Sequence, residues 1–288
     1  MTSILEVNNL TKTYDQFSLD RLSFSLQKGC ITGFIGVNGA GKTTTIKSIL
    51  GLINPEAGSI RFDGMEMNRQ EKQIKNRIGF VLDEGYFYGM LTVKEMKNVI
   101  APAYSSWDEQ TFSNWIGRFG LNPNQKIASL STGMRMKFAV ALALSHHADL
   151  LIMDEPTSGL DPMMRSELMA ILLDFMKEEG KSVFFSTHIT SDLDKVADML
   201  ILIDGGKILL NEEKDTLLDN HARIKGDSRW INERTRPLFL TLRETPYGFE
   251  GLTHQKEALR QEMPDAVFER PTIEDIMLAY VGGAEIAH

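Results

Sequence analysis

Ile31-Thr32-Gly33-Phe34-Ile35, then Gly36-Val37-Asn38-Gly39-Ala40-Gly41-Lys42-Thr43, then Thr44-Thr45-Ile46-Lys47-Ser48-Ile49-Leu50: this stretch decides the fold. The first run is short and apolar, as a strand buried on both faces requires. The last has the character of a helix. Between them lies the pattern G-x-x-x-x-G-K-[ST], whose glycines let the backbone curl until successive N–H groups face an anion. A helix N-terminus behind such a loop adds its dipole and its unpaired donors, so the whole unit is suited to phosphate. On this reading Lys42 reaches the β- and γ-phosphates, Thr43 offers its hydroxyl to Mg²⁺, and Thr44 adds a phosphate contact. Gly36, Val37, Asn38, Gly39, Ala40 and Gly41 supply the cradle. The alternative, a glycine-rich turn that holds nothing, explains neither the flanking strand nor the flanking helix. The loop alone does not separate one class of phosphate-loop protein from another.

Outward from this unit, the first ~215 residues alternate β-like runs with helical patterns, the signature of an α/β domain with a mainly parallel sheet. Further strands are expected at Arg77 to Leu82, Leu150 to Met153, Val183 to Ser186 and Met199 to Ile203. Ile4 to Val7, Phe24 to Leu26 and Ile60 to Phe62 look antiparallel, with polar alternation. Between Leu91 and Ala148 the β signal stops and three helical patterns follow, separated near Ser105 to Trp107 and near Gly120 to Pro123. This reads as an inserted helical subdomain, about 91–148, within a first domain of residues 1–220. After Asn220 the pattern changes to short strands such as Leu238 to Leu242 and a last helix from near Thr272, a small α+β appendage over 221–288. Its basic residues are interrupted by Asp227 and Glu233, so a solvated face is expected there.

Composition narrows the function classes. The 288 residues are 42% hydrophobic, enough for a sizeable core, and the formal net charge is −8. That balance speaks against binding nucleic acid by broad electrostatic attraction, and no direct nucleic-acid partner is expected. The N-terminal MTSILEVNNL has no secretory-signal pattern. Leu150 to Met153 and Met199 to Ile203 fall far short of the ~20 apolar residues that span a bilayer, so membrane association is expected through another subunit. The single cysteine, Cys30, excludes an internal disulfide and is expected to be a buried strand residue.

Asp149-Leu150-Leu151-Ile152-Met153-Asp154-Glu155 is an apolar strand delivering two adjacent carboxylates at its C-terminal end, where ligands gather in open α/β sheets. Asp154 is expected to hold Mg²⁺ through water, and Glu155 to polarise the attacking water as general base. Solvated loop acids are the alternative, but two carboxylates ending a buried strand are costly decoration.

The run Asp154-Glu155-Pro156-Thr157-Ser158-Gly159-Leu160-Asp161-Pro162 resembles the magnesium strand and D-loop of the ABC ATPases. Leu130-Ser131-Thr132-Gly133-Met134 is similar to that family's signature, usually LSGGQ, with Thr132 in place of a glycine and Met134 in place of the glutamine. The resemblance implies that Ser131 and Gly133 set a helix tip against the γ-phosphate bound by the opposite subunit, and that Ser158 to Asp161 contact that subunit. Alone, LSTGM would be an ordinary helix cap. His188, after Phe185-Ser186-Thr187, matches the family's switch histidine; His146 and His147 lack such a setting and are expected at a helix end. Tyr14, in Thr11-Lys12-Thr13-Tyr14, corresponds to the aromatic residue stacked on adenine, although a lone tyrosine is usually packing.

One position departs from the family pattern. By matched spacing Asp83 stands where members commonly carry a glutamine that senses Mg²⁺. Asp83 as a water-mediated metal ligand, with Glu84 beside it, and both as exposed loop acids remain open readings. Tyr86, Phe87 and Tyr88 follow, either as part of a groove receiving a helix of a membrane partner or as core packing.

The resemblance covers roughly residues 1–220 and continues weakly through Pro271 to Met277, like the ATPases of bacterial drug, antibiotic and peptide exporters. It implies an ATP- and Mg²⁺-dependent ATPase, working as a homodimer or with a related subunit, peripheral on the cytoplasmic face of the membrane through separate multi-span permease subunits. Two rival classes are a soluble ABC ATPase acting on ribosomes or DNA, and an ATP-binding module that does not hydrolyse. One cassette without a long coiled-coil insertion speaks against the first, and Lys42, Asp154, Glu155 and His188 against the second.

Overall fold

The computed structural model describes residues 2–82 and 86–282. Among these, a six-stranded sheet runs in the order Lys207–Glu213, Met199–Asp204, Ile31–Ile35, Ser182–Thr187, Leu150–Met153, Ile78–Val81. Its pairings are parallel except at the Lys207–Glu213 edge. The inner strands Ile31–Ile35, Leu150–Met153 and Ser182–Thr187 are buried at every residue, which explains their continuous apolar character. Side chains alternate across the sheet. Phe34, Ile152 and Phe184 face a core closed by the helix Lys42–Ile49 and by an antiparallel sheet. Leu151, Met153, Val183 and Phe185 face a second core.

The antiparallel sheet has the order Phe17–Gln27, Ser3–Tyr14, Ala57–Phe62, Met65–Glu66, and its Tyr14 to Phe17 turn closes the first hairpin. The second core is covered by the expected three helices, Val93–Ile100, Glu109–Arg118 and Thr132–Leu144, and by Pro162–Phe175. Their starts follow from local chemistry. Thr92 and Glu95 form a reciprocal capping box, Asp108 accepts from Gln110 and Thr111 N–H, and Ser131 accepts from Met134 N–H. Pro162 takes the first helical position behind the Asp161 cap, where its missing N–H costs nothing.

A third sheet, all antiparallel, orders Thr241–Thr245, Gly248–Thr253, Ala222–Gly226 and Val267–Glu269. Ile224, Phe249, Leu259 and Met263 form its core beneath the helix Lys256–Glu262. The strand expected at Leu238 to Leu242 is displaced: Pro237 sits in the 3₁₀ turn Arg236–Leu238, pairing begins with Leu240 N–H on Leu252 C=O, and the strand is Thr241–Thr245. Cys30 is half-buried and directly precedes the strand, following the turn at Gly29, φ +82°, with its C=O already accepting from Val183 N–H at 3.1 Å. The last helix, Ile273–Gly282, starts from a Thr272 and Asp275 pair and inserts Ile273, Ile276 and Met277 into the second core. No helix among the described residues is long and apolar enough to cross a membrane.

Candidate functional site

The carboxyl ends of the parallel strands bring Asp154, Glu155 and His188 together beside the glycine loop and its Lys42. Gly41 caps the helix Lys42–Ile49 in the left-handed region, φ 112° and ψ 6°. A Cβ there would strain that conformation and would meet Leu19 and Phe17 at 2.8 Å, so the loop accepts only glycine at this point. The first N–H groups of the helix have no intrahelical partner, which leaves donors at its tip for an anion. Thr43 is exposed at that tip and Thr44 half-buried behind it.

Lys42 is buried. Its Nζ donates to Gly36 C=O at 2.7 Å and to Val37 C=O at 3.2 Å, and lies 3.1 Å from Glu155 Oε1. The other oxygen of that carboxylate, Oε2, meets His188 Nδ1 at 2.8 Å and accepts from His188 N–H at 3.3 Å. Glu155 therefore bridges the loop lysine and the histidine that follows the neighbouring strand. Its side chain is aimed by an unusual backbone, φ +47°, a conformation that costs a non-glycine residue roughly 1–3 kcal/mol and persists only where surrounding bonds impose it.

Asp154, buried beside it, accepts at Oδ1 from Ser186 Oγ–H at 2.6 Å. The same hydroxyl oxygen accepts from Glu155 N–H at 2.9 Å. Ser186 lies in the run that leads to His188, but the sequence assigns it no role of its own. Its one clue is a hydroxyl two residues after Phe184 on an otherwise apolar face of a buried strand. Among the described residues no group of three or more His, Cys, Asp or Glu side chains can hold a metal ion. A cation here would depend on phosphate oxygens, with the Asp154 carboxylate and Thr43 hydroxyl as hard oxygen donors. Mg²⁺, which keeps its waters and takes one or two carboxylates, fits that donor set.

Tyr14 is exposed at the hairpin turn and pairs across it with Phe17, whose ring reaches Gly41. The ring beside Gly41 is thus that of Phe17, while the Tyr14 ring lies under Lys12 Nζ, 5.7 Å from its centroid. Ser131 and Gly133 are not brought to the loop. They start the helix Thr132–Leu144, with Ser131 as its cap and Gly133 against Met164, and among the described residues no hydrogen bond or ion pair joins them to Gly36 through Thr44. Ser158 to Asp161 turn beside them, with Gly159 at φ +69°.

Asp83 and Glu84 lie outside the described residues. In the aromatic cluster, Phe87 packs inward on Phe138 with ring centroids 5.0 Å apart, whereas Tyr86 and Tyr88 are exposed. His147 follows the helix end and pairs with Asp108 at 3.3 Å. His146 is buried, stacked on Tyr104, with its two ring nitrogens 3.3 and 3.2 Å from the Leu142 and Ile78 carbonyls.

A family model described as ABC transporter matches residues 19–158. The bacitracin transport ATP-binding protein BcrA of Bacillus licheniformis is 36% identical over 212 residues, covering 73% of this chain and 69% of that protein. The lantibiotic transport ATP-binding protein SrtF of Streptococcus pyogenes is 34% identical over 215 residues, covering 74% and 92%. Among solved structures, an ATP-binding subunit of an ABC transporter superposes with a TM-score of 0.68 at 26% identity, covering 75% of this chain and 92% of that one.

Proposed function

For a chain that belongs to the ABC transporter family of ATP-binding subunits, we propose that the strand-end cluster is where its ATPase activity resides and that two such subunits close over the nucleotide to move membrane partners. The observation that carries this reading is the Glu155 carboxylate, held between Lys42 and His188 beside Asp154.

Triphosphate oxygens compete for Lys42 with that carboxylate and with the Gly36 and Val37 carbonyls. Lys42 turned to the β- and γ-phosphates leaves Glu155 Oε1 free to take a proton from water, while His188 holds Oε2. The water oxygen then bonds to the γ-phosphorus as its bond to the bridging oxygen breaks, giving ADP and phosphate. The Thr43 hydroxyl, and Asp154 through water, would hold Mg²⁺, which would neutralise phosphate charge. Tyr14 offers a flat face for adenine with little base specificity.

The site is incomplete on the γ-phosphate side within one chain. Ser131 and Gly133, at an exposed helix tip remote in bonding from the loop, are suited to complete it from a second subunit, whether another copy or a relative. Two apolar grooves flank the three-helix region. One, of about 580 Å³, is lined by Leu52, Phe80, Val99 and Tyr104, and the other, of about 210 Å³, by Tyr86 and Phe87. They are suited to a helix of a permease subunit, and would hold the chain at the inner face of the membrane. The names of the similar proteins support transport of antibiotic peptides, in our reading export. Residues 1–220 serve as the ATPase domain and 221–288 as an accessory domain.

Glu155→Gln tests the assignment. Expected are ATP binding with turnover reduced at least about 100-fold, and dimers retained on size exclusion with Mg·ATP. Turnover equal to that of the unchanged chain would remove Glu155 from the mechanism.

A further inference from the structure

The geometry points to Ser186 as a positioning residue that sets both carboxylates of the hydrolytic site with one hydroxyl. The inference rests on the site proposed above. In the parallel pairing of Leu150–Met153 with Ser182–Thr187, Ile152 stands opposite Phe184 and Met153 opposite Phe185. Ile152 and Phe184 face the same core, so Asp154 and Ser186 are the next pair on that face, where the strands run out. A hydroxyl in this fully buried place would be costly without partners, and it has two.

The donated bond, Oγ–H to Asp154 Oδ1 at 2.6 Å, is short and charge-assisted, and it holds the carboxylate against rotation about its last torsion. The accepted bond, from Glu155 N–H at 2.9 Å, fixes the amide at the start of the left-handed Glu155 residue. That backbone is what turns the Glu155 side chain toward Lys42 and His188. His188 lies two residues beyond Ser186, so a closed circuit runs from Ser186 through Asp154, Glu155 and His188 back to the same segment. A serine hydroxyl is both donor and acceptor, and neither alanine nor valine can replace the pair of bonds.

The test compares Ser186→Ala with Ser186→Thr by two readouts. The first is the tightening of ATP binding produced by Mg²⁺, taken as the ratio of dissociation constants in EDTA and in Mg²⁺. The second is turnover split into kcat and KM. Expected for Ser186→Ala are Mg²⁺-free ATP binding within about twofold of the unchanged chain, Mg²⁺ tightening reduced about tenfold, and kcat reduced about 10- to 100-fold. Ser186→Thr, which keeps the hydroxyl, should recover both to within about threefold. Wild-type Mg²⁺ tightening and kcat in Ser186→Ala would overturn the inference, as would Ser186→Thr being as defective as Ser186→Ala. Should Ser186→Ala not fold, Ser186→Cys keeps nearly the same volume with a weak donor; a defect in Mg²⁺ tightening supports the role, and unchanged tightening overturns it. If the unchanged chain itself neither bound nor hydrolysed Mg·ATP, the site proposal would fail instead.

Discussion

Two clusters of charge, one at the ends of the parallel strands and one on the C-terminal sheet, are built from similar groups and have opposite consequences. In the first, Lys42 and Glu155 meet at 3.1 Å with side chains 6% and 12% exposed, and each atom has few alternatives. In the second, Arg223 meets Glu269 at 2.7 Å with both side chains 35% exposed, and Lys225, Glu250 and Asp275 lie within 4 Å of one or the other. The buried pair has given up water, and the partners that remain, the Gly36 and Val37 carbonyls for Lys42 and His188 for Glu155, do not replace the opposite charge, so breaking it leaves a charge without its counterion. The exposed network keeps water and spare partners, so one lost charge is absorbed. Short distance is common to both; burial, and the lack of a second counterion, mark the cluster proposed to do chemistry.

Removing His188 from the buried cluster is the sharpest way to break this contrast. His188→Ala should lower turnover on the order of 100-fold while ATP binding changes only a few-fold, because the exposed ring touches the carboxylate proposed to act on water rather than the loop. Steady-state turnover set beside ATP titration checks it. Loss of binding in proportion to turnover would instead give the histidine a role in holding nucleotide.

A smaller effect is expected from acid, through two buried histidines, His146 and His221. Burial pushes the His146 imidazole below its ordinary value, outweighing the Ile78 and Leu142 carbonyls that favour the charged form. Burial does the same for His221, against the Leu217 carbonyl. Both therefore resist protonation more in the fold than in the unfolded chain. Above about pH 6.5 folded and unfolded chains are alike in this respect, and below it the unfolded chain takes up more protons than the folded chain. Thermal unfolding followed from pH 7.5 to 5.5 should show a falling Tm below about 6.5, and replacing His146 by Gln should flatten that fall. Least of all, Arg223→Ala should shift Tm by about 2 °C or less and leave turnover unchanged, as a redundant surface network predicts. A larger drop would place the C-terminal charges in the same class as the buried cluster.

Much of this site was legible because backbone chemistry confines certain residues. Gly41 in the left-handed region, Pro162 at a helix start and Ser131 at a helix cap leave their mark wherever they occur, since each is tied to a local geometry. Continuous apolar runs marked the buried strands for a similar reason. Ser186 was not legible, because its role depends on which strand lies beside it and in what register. The terminal helix shows the same limit. Its apolar residues announce burial, yet only packing reveals that Ile273, Ile276 and Met277 join the larger core rather than the small one beside the third sheet.

By itself the sequence determined the α/β architecture, the glycine loop with Lys42, the acidic strand end and the histidine downstream, since each is a short-range pattern of residues bound to a local geometry. Tertiary structure alone decided that Glu155 bridges Lys42 and His188, that Ser186 ties the two carboxylates, and that the final helix returns to the main core. The reason is that strand order and register are set by the burial of whole faces at once, and no local run of residues carries that information.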